Sequence, residues 1–387
     1  MGRRQGTEDA GRLVSLDAYR GLVMLAMASG GFALTEVARN HPDSQALTIL
    51  AGQFEHVPWR GCSFWDLIQP SFMFIVGVAM PFSYASRADR GDGWANQFGH
   101  ALRRSIILVL LAVFLSSAWS KSTNWVFVNV LAQIGLGYPI VFLLLGKSPR
   151  LQFAAALGIL AAYWLWFAAY PLPTAAAGAG EGGLTGFLAH WEKHANPAAA
   201  FDRWFLNLFP RPDGQPFTTN DGGYATLNFV PSIATMLFGV IAGEWLRSSR
   251  SGPAKVRGLL AWGVAALAVG MVLDVTLCPV VKRIWTPSWA IFSAGWTLLL
   301  LGAFHGLIDV AGYRRWAFPM VVVGVNSIAF YVMAQLMKPF VAKQLAIHLG
   351  PELFGGDLGP LIRSAAVLGV FWLIALAMYR QRIFVRI

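Results

Sequence analysis

Residues 53–82 read QFEHVPWRGCSFWDLIQPSFMFIVGVAMPF. From Ser71 onward the run carries no charge and is continuously apolar, which is the pattern of a membrane-spanning helix. A barrel strand would instead alternate apolar and polar residues over about ten positions. Directly before that helix stand Glu55, His56, Arg60 and Asp66, interleaved with Trp59 and Trp65. Ionisable groups at a membrane face are costly and tend to be functional. The stretch therefore sets both the fold class and the first place to look for chemistry.

The rest of the chain extends the membrane reading. It is 56% hydrophobic and only 13% charged, with 16 Trp, 27 Phe and a mean hydropathy of +0.54. A soluble protein carries about a quarter charged residues. The net charge of +11 does not mark a nucleic-acid binder, because Lys and Arg sit in short clusters between apolar runs. Two cysteines, Cys62 and Cys278, exclude a disulfide framework or a cysteine-rich metal site, and their spacing does not show whether they pair. The first apolar run, GLVMLAMASGGFAL, resembles a signal h-region, but the further spans favour an uncleaved helix.

A spanning helix needs roughly 20 apolar residues. Segments 21–38, 64–86, 105–120, 126–145, 151–170, 226–246, 258–277, 288–308, 318–337 and 361–379 qualify. The expected fold is an all-α polytopic bundle of about ten transmembrane helices. A short tail, 1–14, precedes one domain over 15–387. Alternating the spans from a cytoplasmic N-terminus makes every inner loop short and basic, including Arg87, Arg90, Arg103, Arg104, Lys147, Arg150, Arg314 and Arg315. Both termini then lie in the cytoplasm and His56 on the outer face. The longest connection, 171–225, is also outer, where it could cover a site. Within it, LTGFLAHWEKH predicts a short amphipathic helix.

His56 is the leading catalytic candidate, with Asp66 beside it. An imidazole titrates near neutral pH and can take a proton from an attacking amine or hydroxyl, while a carboxylate holds its tautomer. The plain alternative is an interfacial His and an Asp at the positive end of its helix. Asp17 and Arg20, in SLDAYRG, read either as a cap and a positive-inside anchor or as contacts to the phosphates of a nucleotide-bearing donor. Asn326 shares VGVNSIAFYVMAQ with Tyr331 and Gln335, and it joins Asn129, Gln133 and Asn228 as interhelical glue or site residue. Lys282, Arg283 and Trp285 in VVKRIWTPSW form a cationic aromatic cluster on the outer side, either an interfacial anchor or a contact to phosphate or sugar. His190 and His194 lack the further ligands that zinc requires, and AAAGAGEGG lacks the Lys-Ser/Thr of a phosphate loop, so no metal is expected.

These motifs resemble the membrane acetyltransferase family of heparan-α-glucosaminide N-acetyltransferase and its bacterial relatives. Leu16, Asp17, Arg20 and Gly21 match that family's opening Asp-x-x-Arg-Gly signature. His56, Trp59, Gly61, Asp66, Leu67 and Pro70, followed by FIVG, match its His-x-x-Trp-x-Gly motif. VLAQIGLGY, SIATMLFGVIAGEWL, KRIWTPSW, VNSIAFYV and RQRIFVRI extend the likeness over nearly the whole chain from residue 15. Departures fall at Ser29-Gly30-Gly31, where some relatives carry Asn, at Ala132-Gln133, and at NDGGYATLN, which replaces an Asp-Pro-Glu-Gly run.

The resemblance implies an integral protein of a bacterial inner membrane that moves an acetyl group from cytoplasmic acetyl-CoA to an extracytoplasmic sugar or glycan. His56 would be general base or acyl carrier and Asp66 its orienting partner. Asp17, Arg20 and Asn326 would hold the donor, and Trp59, Lys282 and Trp285 would line the acceptor pocket. A homodimer is a further expectation from the family. The alternatives are a transporter or proton relay built on the same ionisable residues, and an inactive relative.

Overall fold

The computed structural model describes residues 13–172 and 182–385. Among them every regular element is helical and no strand occurs. Each expected span carries a helix. Eight are long and apolar enough to cross a bilayer. A ninth, Arg315–Gly324 followed by Ser327–Leu349, is bent by 71° at the break between its halves. The segment expected at 126–145 forms the helix Val130–Leu144, which has only 15 residues. At 1.5 Å per residue that is about 22 Å, short of the roughly 30 Å hydrocarbon core. The tail before Leu13, most of AAAGAGEGG and the last two residues lie outside the described residues.

The chain forms two compact units, and it passes between them more than once. The larger holds residues 34–248 and 262–297. Its centre is the pair of spans Trp65–Asp89 and Thr226–Arg247, buried over 67% and 72% of their apolar windows. Trp94–Ser117 and Pro149–Ala168 are buried over only 28%, so their apolar side chains face outward. Leu102, Ile106, Leu110 and Phe114 are all exposed at intervals of four, one stripe of a helix turned to lipid.

Glycine brings the central pair together. A Cβ on Gly77 would stand 2.0 Å from the carbonyl oxygen of Met236, and one on Gly239 would stand 2.2 Å from that of Phe74. Only a residue without a side chain fits, the device by which membrane helices gain close van der Waals contact. Buried amides tie further helices to this core. Gln69 Nε2 donates to Gln133 Oε1 at 2.9 Å, and Gln152 Nε2 donates to Glu244 Oε1 at 2.8 Å. Asn129 caps the helix Val130–Leu144 through Ala132 N and also donates to Ala112 O. Gln133 and Asn129 thus serve as glue between helices.

The smaller unit holds 13–33, 249–261 and 298–385. Its first helix, Val14–Ser29, packs on Phe318–Gly324, again through glycine, with Gly21 under the Met320 carbonyl and Gly324 under that of Asp17. Four successive residues then turn left-handed, Gly30, Gly31, Phe32 and Ala33, with φ of 57°, 66°, 53° and 53°. Phe32 and Ala33 bear Cβ atoms there, a strained arrangement costing roughly 1–2 kcal/mol per residue. The helix cannot continue in register through that turn. Asn326, at the break before Ser327–Leu349, accepts from Val385 N and donates to Ile383 O, both at 2.9 Å, pinning the C-terminal segment.

Candidate active site

The connection between Gln53 and the span Trp65–Asp89 folds around one carboxylate. Asp66 is 1% exposed and lies in the 3-10 turn Trp65–Leu67 that opens the helix. Its Oδ1 lies 2.7 Å from His56 Nδ1. Its Oδ2 accepts from Val57 N at 3.2 Å, Ser63 N at 3.2 Å and Ser63 Oγ at 3.0 Å. Ser63 Oγ also lies within reach of Glu55 O, so its one hydrogen serves either acceptor, and the two backbone N–H groups are the fixed donors to Oδ2. Gly61, with φ of 116°, makes the turn between His56 and Asp66, and its N–H donates to Val280 O at 2.9 Å. A Cβ is disfavoured at that φ.

That last bond joins the loop to a second connection, 277–286, which supplies a cation. Lys282 is 3% exposed; its Nζ lies 3.1 Å from His56 Nδ1 and 3.4 Å from Asp66 Oδ1. Arg283 follows, donating to Gly222 O at 2.6 Å and to Val57 O at 3.1 Å. It thereby ties the 182–225 segment to the His56 loop. Asn228 Nδ2 in turn donates to Arg283 O at 2.6 Å. The ring of Tyr224 stands edge-on to His56 with centroids 6.3 Å apart, and both Lys282 and Arg283 lie against its face.

The geometry settles which nitrogen of His56 is engaged. Asp66 holds Nδ1, the described residues offer Nε2 no hydrogen bond, and the side chain is 36% exposed. In the tautomer whose Nδ1–H donates to Asp66, Nε2 keeps the lone pair that a general base or nucleophile needs. Lys282 shares the same carboxylate. Burial brings its ammonium down to about 8, against the opposing attraction of Asp66. At neutral pH a positive charge therefore stands beside the imidazole.

The expected site residues divide. His56, Asp66 and Lys282 come together. Trp59 and Trp285 are buried at 3% and 0%. Trp59 Nε1 donates to Trp191 O at 3.1 Å and packs with Trp191, Phe167 and Tyr163; Trp285 Nε1 donates to Thr235 Oγ1 at 3.2 Å. Cys62 and Cys278 are free thiols, and burial pushes Cys62 up to about 12. The segment 184–194 forms only the short turn Gly186–Trp191, and His194 lies beyond it at φ 62°, so His190 and His194 share no helix face. In the smaller unit Arg20 pairs with Asp17 at 3.5 Å. On the same helix Ser15 donates to Asp309, which also binds His305 Nδ1 at 3.0 Å. Asn326 spends its amide on the C-terminal segment, as above.

Sequence reading passed over Ser63 and Tyr224. Ser63 could have been found, since Ser-x-x-Asp before an apolar run is a capping spacing. Nothing in the spacing of Tyr224 relates it to His56, 168 positions earlier.

With that geometry in view, residues 12–274 match the family described as heparan-alpha-glucosaminide N-acetyltransferase, catalytic. The chain belongs to this family. Heparan-alpha-glucosaminide N-acetyltransferase of Homo sapiens is 24% identical over 422 residues, covering 97% of the chain and 60% of the relative. The Mus musculus protein of the same name is 24% identical, covering 98% and 61%. The chain thus spans about 60% of the length of these relatives. The family range takes in His56, Asp66 and Tyr224 but ends before Lys282, so the buried ammonium comes from outside it.

Proposed function

We propose that the chain is a transmembrane acetyltransferase that moves an acetyl group from cytoplasmic acetyl-CoA to an amine or hydroxyl of an extracytoplasmic amino sugar or glycan. Family membership supports membrane acetyl transfer in general. The single observation that carries the site is His56, held at Nδ1 by Asp66 with Nε2 unengaged.

In a direct transfer, Nε2 takes the proton of the acceptor nitrogen or oxygen as that atom attacks the thioester carbonyl. The new N–C or O–C bond forms, the C–S bond breaks, and the imidazolium returns its proton to the departing thiolate. In the covalent route Nε2 itself attacks, the C–S bond breaks, and CoA leaves as the thiolate, which takes a proton from water; the acceptor then attacks the acetyl carbonyl, the C–Nε2 bond breaks, and the acceptor's proton passes to water. Ping-pong kinetics mark the second route. Asp66 fixes the tautomer in both.

Arg20, with Asp17 orienting it, is the proposed contact for the donor's phosphates, and Asn326 holds the C-terminal segment in that same unit. Trp59, Trp285 and Lys282, all almost fully buried, are assigned to positioning the two loops around His56. The rival, a transporter, draws on the bent ninth span and the left-handed break of the first, since interrupted helices line solute sites in transporters. Acetyl-CoA turnover against glucosamine-terminated acceptors, wild type beside His56→Ala, separates the two. An enzyme transfers acetyl and loses it with His56; a transporter moves solute with no need of CoA.

A further inference from the structure

The segment NDGGYATLN, residues 220–228, lies just ahead of the helix Phe229–Arg247. It folds back on itself, with Asn220 O accepting from Gly223 N at 2.6 Å and Asn220 Oδ1 from Tyr224 N at 3.2 Å. That turn closes one side of a narrow cleft, whose other side is the helix Pro197–Phe205. Thr218, Thr219, Asn220 and Tyr224 line it with Asp202, and its interior has room for a water-sized group. Tyr224 is shared: it lines the cleft, and its ring stands beside His56.

Asp202 is the unusual member. It is 2% exposed, and its Oδ2 accepts from Thr226 N at 2.9 Å. Its Oδ1 is fully buried and has no hydrogen-bond partner among the described residues. Leaving a buried carboxylate oxygen unpaired costs more than leaving a neutral acceptor so. Thr226 N braces Oδ2, while Oδ1 and the equally buried Thr226 hydroxyl have no hydrogen bond among the described residues. Burial raises the carboxyl to about 6, against the opposing pull of Thr226.

We infer that Asp202 and the Asn220–Tyr224 turn form an acceptor subsite that takes a hydrogen-bond-donating substituent of a pyranose, while the ring carbons lie against Tyr224 and the reacting group reaches His56. This deepens the acetyltransfer reading and rests on it. The chemistry fits a sugar: a carboxylate takes a hydroxyl or ammonium, threonine and asparagine side chains take further hydroxyls, and an aromatic face takes the apolar face of the ring.

Asp202→Asn tests it with little disturbance, since Asn Oδ1 can still accept from Thr226 N. The full chain in detergent or nanodiscs is assayed with acetyl-CoA and two amines, glucosamine and cyclohexylamine, the second having a ring but no hydroxyl. The expected result is a rise of about tenfold in KM for glucosamine, the loss of one charge-assisted hydrogen bond. KM for cyclohexylamine, KM for acetyl-CoA, kcat and Tm stay as in wild type. An unchanged glucosamine KM, or an equal change for both amines, overturns the subsite. Calorimetric binding of glucosamine to His56→Ala, with and without Asp202→Asn, needs no turnover. Binding that weakens about tenfold on Asp202→Asn supports the subsite even if no acetyl transfer is found and the enzyme reading falls; undiminished binding removes the subsite and leaves that reading intact.

Discussion

Two His–Asp pairs among the described residues differ in what surrounds them. His56 and Asp66 lie in loops, with the imidazole 36% exposed and a buried lysine beside them. His305 and Asp309 lie four apart on the π-helical turn His305–Val310, with side chains 7% and 12% exposed and Ser15 as third partner. Both histidines turn Nδ1 to the carboxylate. In the first the other nitrogen can meet a substrate; in the second it is buried without a partner. Access and a neighbouring cation, more than the pair itself, separate a candidate catalytic dyad from a brace between two helix ends.

Substitutions put this contrast at risk. The largest effect is expected for His56→Ala, which should lower acetyl transfer by at least about 10³-fold while leaving Tm and acetyl-CoA binding near wild type, read by steady-state rates and calorimetry. Asp66→Asn should lower kcat by about 10²-fold, because the amide no longer fixes the tautomer, and should also lower Tm, because the loop loses acceptor capacity.

Lys282→Met should have a smaller effect with a distinctive pH signature. The folded state holds this ammonium at about 8, below its ordinary 10.5. Between those values the unfolded chain binds more protons, so stability from this group rises with pH across that window. Activity that needs the charged form falls as pH rises through about 8. Wild type should therefore show an alkaline limb near pH 8 in kcat and a gain in chemical stability between 8 and 10.5, and the Met variant should show neither. The smallest catalytic effect is expected for His305→Ala, less than about threefold in kcat with a measurable drop in Tm. A loss comparable to that of His56→Ala would erase the contrast.

How much could be read in advance follows from what kind of signal each feature leaves. The helical spans are written in continuous apolar runs and were legible to within several residues. The break at Gly30–Ala33 and the bend at Val325–Asn326 were not, because both keep the apolar composition of a straight span. His56 and Asp66 were legible through their spacing to Trp59, Gly61 and Pro70. Lys282 was legible as a charge near an outer loop, but its contact with His56 crosses 226 positions and depends on tertiary folding. Trp59 and Trp285 illustrate the converse: an aromatic near a membrane face has the same sequence signature whether it lines a pocket or, as here, fills the core.

The most direct test of the central claim is acetyl transfer from acetyl-CoA to glucosamine by the purified chain in sealed vesicles, wild type against His56→Ala. The account predicts N-acetylglucosamine from wild type and none from the variant, with acetyl-CoA bound by both. Equal turnover by the two proteins, or no binding of acetyl-CoA by wild type, would contradict it.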